Sequence, residues 1–369
     1  MRLSRIRLHW VEVPLHEPFR ISSGEIRVRC SILVELLANG TSGWGEAAPM
    51  PGPVYSVETP ESTWEFLRKK LLPGFLDRPE LDPTRCFGRL EEFPGEPFAK
   101  AAVEGAVWDL RAQQESKPLW ALLGGSGQAL PSGAAIGLMP TPEDLLDRVA
   151  RFLAEGYRRI KIKIAPGHDV ELVAAVRSRF GGIPLMVDAN AAYRLEDLPV
   201  FRELDQHGLM MVEQPLAREA LEEHAELQRA LRTPLCLDES ADSLEAVERI
   251  LRLHSARIIN IKVQRLGGLE PARRVHDVLR KARIPCWLGT MPELGIASAQ
   301  GLHLGTLPNF AFPTDVEASA RWYLGDIITP PIEVPRDGLI RLADGPGMGY
   351  RVDPEKVARY RLRVEEFVP

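Results

Sequence analysis

The 369-residue sequence predicts a parallel (β/α) barrel, and three observations carry that expectation. Lys163, Asp188, Glu213 and Asp238 stand 25 positions apart, and Lys262 follows 24 later. Each closes a short apolar run: RRIKIKIA, IPLMVDAN, GLMMVEQP, TPLCLDES and RIINIKVQ. From Pro131 onward strand-like runs alternate with helical patterns, the sequence form of a right-handed parallel sheet. Chemistry in such a barrel sits where the strands end, on one common face, so the ladder aims two amines and three carboxylates at a single mouth.

The elements follow in order. Residues 1–50 show alternating strand-like segments (RLSRIRLHWVEV, RCSILVELL), broken by the turn pair Asn39-Gly40 and the glycine-rich GTSGWGEAA. Residues 58–123 read as helices; in AKAAVEGAVWDLRAQQ apolar positions recur every three or four residues. Gly124-Gly125-Ser126-Gly127 marks a boundary. The first barrel strand is PSGAAIGL, and the first helix, after Thr141-Pro142, is EDLLDRVARFLAEG. Further helices are expected at DVELVAAVRSRF, LEEHAELQRAL, SLEAVERILRL and LEPARRVHDVLRKA, and late strands at PCWLGT and, with a weaker pattern, NFAFPTDVEA. The tail from about 330 (PPIEVPRDGLIRL) reads as strand–turn–strand returning to the first part. PFRISSGEIRVR (18–29) shows no strong helix or strand pattern.

Composition narrows the function. With 45% apolar and 26% charged residues the chain reads as soluble and globular, long enough to bury a large core. The net charge of −5 and the scattered basic residues argue against nucleic acid or anionic membrane as partners. The start lacks the apolar core of a signal peptide, and no run approaches a transmembrane span. Cys30, Cys86, Cys236 and Cys286 form no CxxC pair and are expected as buried thiols in a cytoplasmic protein.

Asp188, Glu213 and Asp238 offer three hard oxygen ligands from successive strands, with no His or Cys at a ladder position. An all-oxygen set suits Mg²⁺ or Mn²⁺ rather than zinc. The competing reading is that acids at strand ends cap the helices that follow. The lysines add to the case, because the chain holds nine against thirty-seven arginines, and Lys161, Lys163 and Lys262 lie in strands otherwise made of isoleucine and valine. Strand periodicity turns Lys161 and Lys163 to the same side, inward. Lost solvation and mutual repulsion are expected to push one of the two toward neutrality, where an amine acts as a general base. A structural amine paired with the nearby carboxylates is the alternative. Two amines facing a carbon acid from opposite sides, with a divalent metal on its carboxylate, can exchange the α-proton. A Schiff-base aldolase and a non-catalytic binding barrel also remain open on these residues.

KIK at 161–163, VDAN at 187–190, VEQP at 212–215, LDES at 237–240 and NIKVQRLGG at 260–268 together resemble the muconate-lactonising branch of the enolase superfamily. GWGEAAPMPGPVYSVETPES (43–62) and GLEPARRVHDV (268–278) are similar to its o-succinylbenzoate synthase and N-succinylamino acid (N-acylamino acid) racemase family. The resemblance implies a (β/α)7β barrel over 126–329, capped by an α+β domain built from 1–125 and 330–369. It implies Mg²⁺ on Asp188, Glu213 and Asp238, and Lys163 and Lys262 as the acid/base pair. Lys161, Asn190, Glu239, Arg265, Thr290 and Met291 are expected around the substrate or behind the ligands; Arg265 matches an arginine typical of the racemase-bearing members. In GTMPELGIASA (289–299), Thr290 and Ala297-Ser298 depart from the glycine and Arg-Ala that many relatives carry, which leaves the substrate contacts there unassigned. The 18–29 segment would close over the mouth, and Met50 and Tyr55 would form a second apolar wall. The implied reaction is syn-dehydration of a succinyl-bearing cyclohexadiene carboxylate on the menaquinone route. Racemisation of N-succinyl or N-acyl amino acids is the alternative at the same site. The expected partners are a small carboxylate and further copies of the chain.

Overall fold

The computed structural model describes residues 2–21, 24–52, 56–78 and 83–368. Seven parallel strands form one sheet in chain order: Gly133–Ile136, Arg159–Lys163, Leu185–Asp188, Val212–Glu213, Leu235–Leu237, Ile258–Ile261 and Cys286–Leu288. Side chains alternate across each strand, so the sheet has two different faces. Ile160, Ile162, Leu185, Val187, Leu235, Leu237, Ile259 and Ile261 turn outward into one apolar core with Val149, Phe152, Val173 and Ile250 of the surrounding helices. Truncating any of these to alanine is expected to cost about 2–5 kcal/mol. The inward set is smaller: Met186, Met211, Cys236, Ile258 and Trp287 form a separate cluster.

The helices between strands start and stop where local chemistry dictates. Thr141 accepts a hydrogen bond from the Asp144 N–H and caps Pro142–Glu155, whose first residue is a proline. Gly156 ends that helix at φ 103°, and a Cβ there would meet the Arg336 carbonyl, so the turn back to the Arg159 strand requires glycine.

The eighth position, expected at NFAFPTDVEA, is an irregular extended segment rather than a full strand. It closes the barrel by touching both sheet edges: Ala311 N donates to Cys286 O (2.8 Å), Asp315 N to Leu288 O (3.1 Å), and Gly133 N to Thr314 O (2.8 Å). Single parallel bridges join Ser132 with Thr314 and Cys286 with Phe310.

A four-stranded antiparallel sheet stands apart from the barrel, in the order Arg361–Phe367, Arg5–Ile21, Gly24–Ala38, Thr41–Ala47. The helix Pro97–Gln114 packs on it so closely that a Cβ at Gly45 would fall 1.9 Å from the Ala102 carbonyl oxygen, which explains the glycines of GTSGWGEAA. Within segment 18–29, where residues 22 and 23 lie outside the described ones, the pairing is more regular than the sequence pattern implies: after a register shift Phe19 stands opposite Ile26 and Ile21 opposite Gly24. The tail returns to the first part as expected: Ile332 and Ile340 of the PPIEVPRDGLIRL segment share a core with Val11, Val13 and Leu33 of the antiparallel sheet. By strand pairing, Leu339–Ile340 joins Leu130–Pro131 at the start of the barrel, and Arg361–Phe367 joins the cap sheet. Among the described residues no helix is long and apolar enough to cross a membrane.

Candidate active site

The register places the ladder in a row. Lys163 stands opposite Asp188, and Asp188 opposite Glu213, each at the end of its strand. Asp238 and Lys262 follow one residue beyond their strands. Lys161, Lys163, Asp188 and Lys262 line one cavity of about 60 Å³, together with Met50, Thr290, Met291 and Asp315. Glu213, Asn190, Glu239 and Arg265 reach that cluster through hydrogen bonds. Tyr55 lies outside the described residues.

Every carboxylate of the row is buried and held by a cation. Lys163 Nζ donates to Asp188 Oδ2 (2.6 Å) and to Asn190 Oδ1 (2.5 Å). Lys262 Nζ lies 2.9 Å from Asp238 Oδ2, and Arg265 binds the other Asp238 oxygen and donates to the Asp238 carbonyl (2.6 Å). Glu213 receives Lys161 Nζ (3.2 Å) and Asn260 Nδ2 (2.7 Å). Burial opposes ionisation of Asp188, but Lys163 and Lys161 outweigh it and hold its pKa below the usual range. Burial likewise opposes Asp238, and Arg265 with Lys262 pulls it down. Glu213 goes the other way, pushed up to about 8 by burial and by the Asp188 charge.

Burial and mutual repulsion are expected from the sequence to bring one of Lys161 and Lys163 toward neutrality, and Lys161 does not follow this expectation. Burial does work against the Lys161 charge, but Asp315, Glu213 and Asp188 outweigh it and raise the pKa above that of ordinary lysine. Lys161 Nζ lies 2.5 Å from Asp315 Oδ2, Asp315 also takes Arg159 Nη2 (2.7 Å), and both cations sit over the Trp287 ring. Lys161 thus has the surroundings of the structural amine in the alternative reading.

Several positioning residues escaped the sequence. Gln214, at φ 37°, accepts from the Asp238 and Ser240 N–H groups and so fixes the Asp238 turn. Asn260 steadies Glu213, and a Cβ at Gly289 would collide with it. Gln264, two residues past Lys262, accepts from Ala48 N (3.1 Å) and donates to Glu46 O (2.8 Å), while Arg29 donates to Ala48 O and to Met50 Sδ. These bonds hold Met50 against the cavity. VEQP and NIKVQ contain Gln214 and Gln264, but an amide beside an acid carries no periodic signal. The hairpin's Glu17 and Pro18 line a neighbouring groove with Ile136 to Pro140 and Trp322, beside the end of the first barrel strand.

The donor set suits a hard divalent cation. Its oxygens are buried and mutually repelling, and Glu239 Oε2 is buried without a hydrogen-bond partner, although Glu239 Oε1 accepts from Asn190 Nδ2 (3.1 Å). As placed, no three acidic, histidine or cysteine side chains among the described residues converge as a ligand set. Asp188 and Asp238 each give one oxygen to a lysine, so an ion held here would share these carboxylates with Lys163 and Lys262.

Comparison with known proteins identifies the family. Residues 5–124 match the family described as mandelate racemase / muconate lactonizing enzyme, N-terminal domain, and residues 144–357 match the enolase C-terminal domain-like family. The chain is 44% identical to the o-succinylbenzoate synthase of Geobacillus kaustophilus over 98% of its own length and 96% of that protein. It is 42% identical to the N-succinylamino acid racemase of an Amycolatopsis species, over 96% of each. A solved enolase-superfamily member from Listeria innocua superposes with a TM-score of 0.95 at 36% identity, covering 100% of this chain and 99% of that one. Both domains and the whole length therefore place this chain in the enolase superfamily, in its mandelate racemase / muconate lactonizing enzyme family.

Proposed function

We propose that this protein is an o-succinylbenzoate synthase, dehydrating a succinyl-bearing cyclohexadiene carboxylate in menaquinone biosynthesis. The observation that carries the proposal is one cavity lined by Lys163 and Lys262, each paired with a different buried carboxylate, in a chain 44% identical to such a synthase over nearly its full length. Asp188, Glu213 and Asp238 would hold Mg²⁺, or Mn²⁺ in its place. When bound, the ion supplies positive charge against the substrate carboxylate, where negative charge builds up as the α-proton leaves.

The side chains do the rest. Lys163 takes the α-proton at Nζ and returns it to the departing hydroxyl, so both transfers occur on one face. To do so it must release a hydrogen bond to Asp188 and present a lone pair. Lys262 stays protonated and faces the developing charge from the other side. Lys161, pinned by Asp315, keeps Glu213 and Asp188 in place. Met50 and Met291 are buried and exclude water from the cavity. The four cysteines are free and buried, which fits a reducing cytoplasm.

Racemisation of N-succinyl amino acids is the second reading, favoured by the 42% identical racemase and by the amine on each side. It uses both lysines as bases, whereas the dehydration uses one. Lys262→Arg keeps the cation and abolishes base function at neutral pH. Dehydration is expected to survive this change better than deuterium exchange into an N-succinyl amino acid followed by proton NMR. A wild-type protein that neither dehydrates the cyclohexadiene substrate with Mg²⁺ nor exchanges the α-proton would sink both readings.

A further inference from the structure

The cavity between Lys163 and Lys262 measures about 60 Å³, well below the roughly 300–1,000 Å³ of a pocket that takes a whole ligand. The groove beside it measures about 350 Å³. Trp322 lines both spaces, and Ala135 of the cavity is followed in the first barrel strand by Ile136 of the groove. Strand order sets the direction of a bound carboxylate. Asp188, Glu213 and Asp238 belong to the third, fourth and fifth strands, with Lys163 on the second and Lys262 just past the sixth. A substrate whose reacting carboxylate lies on the side of those acids turns its remainder the other way. That way lie the seventh strand, the eighth segment and the first strand, and the groove opens there.

We propose that Arg321 in this groove binds the terminal carboxylate of the substrate's succinyl arm and so selects substrates that carry a second acid group. This rests on the dehydration reading above, whose substrate has both a reacting carboxylate and a succinyl arm. Two arginines line the groove, and their surroundings differ. Arg148 is matched by Glu17, which accepts from its Nη1 at 2.8 Å. Arg321 lies over the Trp322 and Phe152 rings, 4.4 and 5.1 Å from their centroids, with Nε 3.3 Å from Glu317 Oε2. Arg321 Nε and Glu317 Oε2 are both buried without a hydrogen bond, and Arg321 donates none to any described residue. The rings hold the guanidinium plane and leave its Nη groups for a ligand. A guanidinium so held suits bidentate recognition of a carboxylate. Glu317 lines the cavity and Arg321 the groove, so the pair marks the passage from one to the other. Glu317 Oε1 accepts from Ala135 N (2.8 Å), which keeps that acid on the cavity side. Ile136, Leu138 and Met139 give the groove an apolar wall for the methylene groups of the arm.

Titration calorimetry on the full chain with Mg²⁺ tests the subsite, using o-succinylbenzoate, the dehydration product, and the analogue whose terminal carboxylate is a primary amide. The unaltered protein is expected to bind the acid at least about tenfold more tightly than the amide, the usual worth of a charge-assisted pair. Arg321→Gln should weaken the acid by about that factor and leave the amide nearly unchanged. Arg321→Lys keeps the charge without the fork and should retain part of the preference. Leu138→Glu sets an anion on the groove wall without touching the stacked guanidinium, and should also weaken the acid selectively. It carries the test if circular dichroism shows Arg321→Gln unfolded. Equal affinity for acid and amide in the unaltered protein, or an undiminished preference in the folded variants, overturns the proposal. A protein that keeps the preference but does not dehydrate retains the subsite and loses the synthase reading. One that dehydrates with no preference loses the subsite alone, and one that binds neither ligand loses both.

Discussion

Lys161 and Lys163 stand two residues apart on one strand and line the same cavity, yet their surroundings differ. Lys161 sits in the barrel's closed interior, bonded to Asp315 and Glu213, above the Trp287 ring and beside Arg159. Lys163 stands at the mouth, beside Asp188 and Asn190, with 12% of its side chain exposed. One strand step along the barrel axis separates an amine enclosed by Asp188, Glu213 and Asp315 from one that reaches the mouth. Depth in the barrel, not residue type, divides the two environments.

That division is tested most sharply by replacing each lysine. Lys163→Ala is expected to lower the dehydration rate by ~10²–10⁴-fold, the usual worth of a general base, with little change in the denaturant midpoint. Lys161→Met should do the reverse in emphasis. It leaves Asp315, Glu213 and Asp188 buried without their shared cation, and a loss of about 3–5 kcal/mol in urea unfolding is expected. Equal destabilisation by the two variants would erase the distinction.

A third experiment asks whether pH sensitivity arises in either region. Burial lowers the pKa of His224 and of His303 to about 4, and both accept a backbone N–H in their neutral forms, from Leu216 and Trp120. A histidine depressed on folding binds fewer protons folded than unfolded. Its stability contribution is full above about pH 6.5 and is lost as pH falls toward 4. The expected loss is up to about 3 kcal/mol for each histidine. His303→Gln should flatten stability against pH in that window; an unchanged slope would place the sensitivity elsewhere, the lysine row included.

The smallest expected effect concerns the row itself. Glu213→Gln keeps an acceptor for Asn260 and removes one negative charge. Calorimetry should show Mg²⁺ affinity reduced at least about tenfold, since affinity follows ligand charge. Undiminished binding would mean that the ion is held without Glu213.

The parts legible in the sequence are those with a period. The 25-residue step sets Lys163, Asp188, Glu213, Asp238 and Lys262 at successive strand ends, because the strand–helix units are nearly equal in length and each residue closes an apolar run. What lies between periods is not legible. Asp315, on the irregular eighth segment, is 154 residues from Lys161, and without that pairing nothing in the sequence says that Lys161 is the amine whose pKa is raised. The 18–29 hairpin has too few apolar alternations to announce itself, and its pairing is set by the long strands it continues. PPIEVPRDGLIRL has the right local form, but nothing local specifies which edge a two-residue strand will join.

The irregular eighth segment has a consequence for motion. The sheet contacts between the seven barrel strands are ladders, while closure rests on isolated bridges and a few bonds from Ala311 to Asp315. Amide protons along that seam should exchange with solvent sooner than those of the neighbouring strands. Arg159 and Lys161 grip Asp315 from across the interior, so the cations beneath the mouth also rivet the line along which the barrel would first come apart.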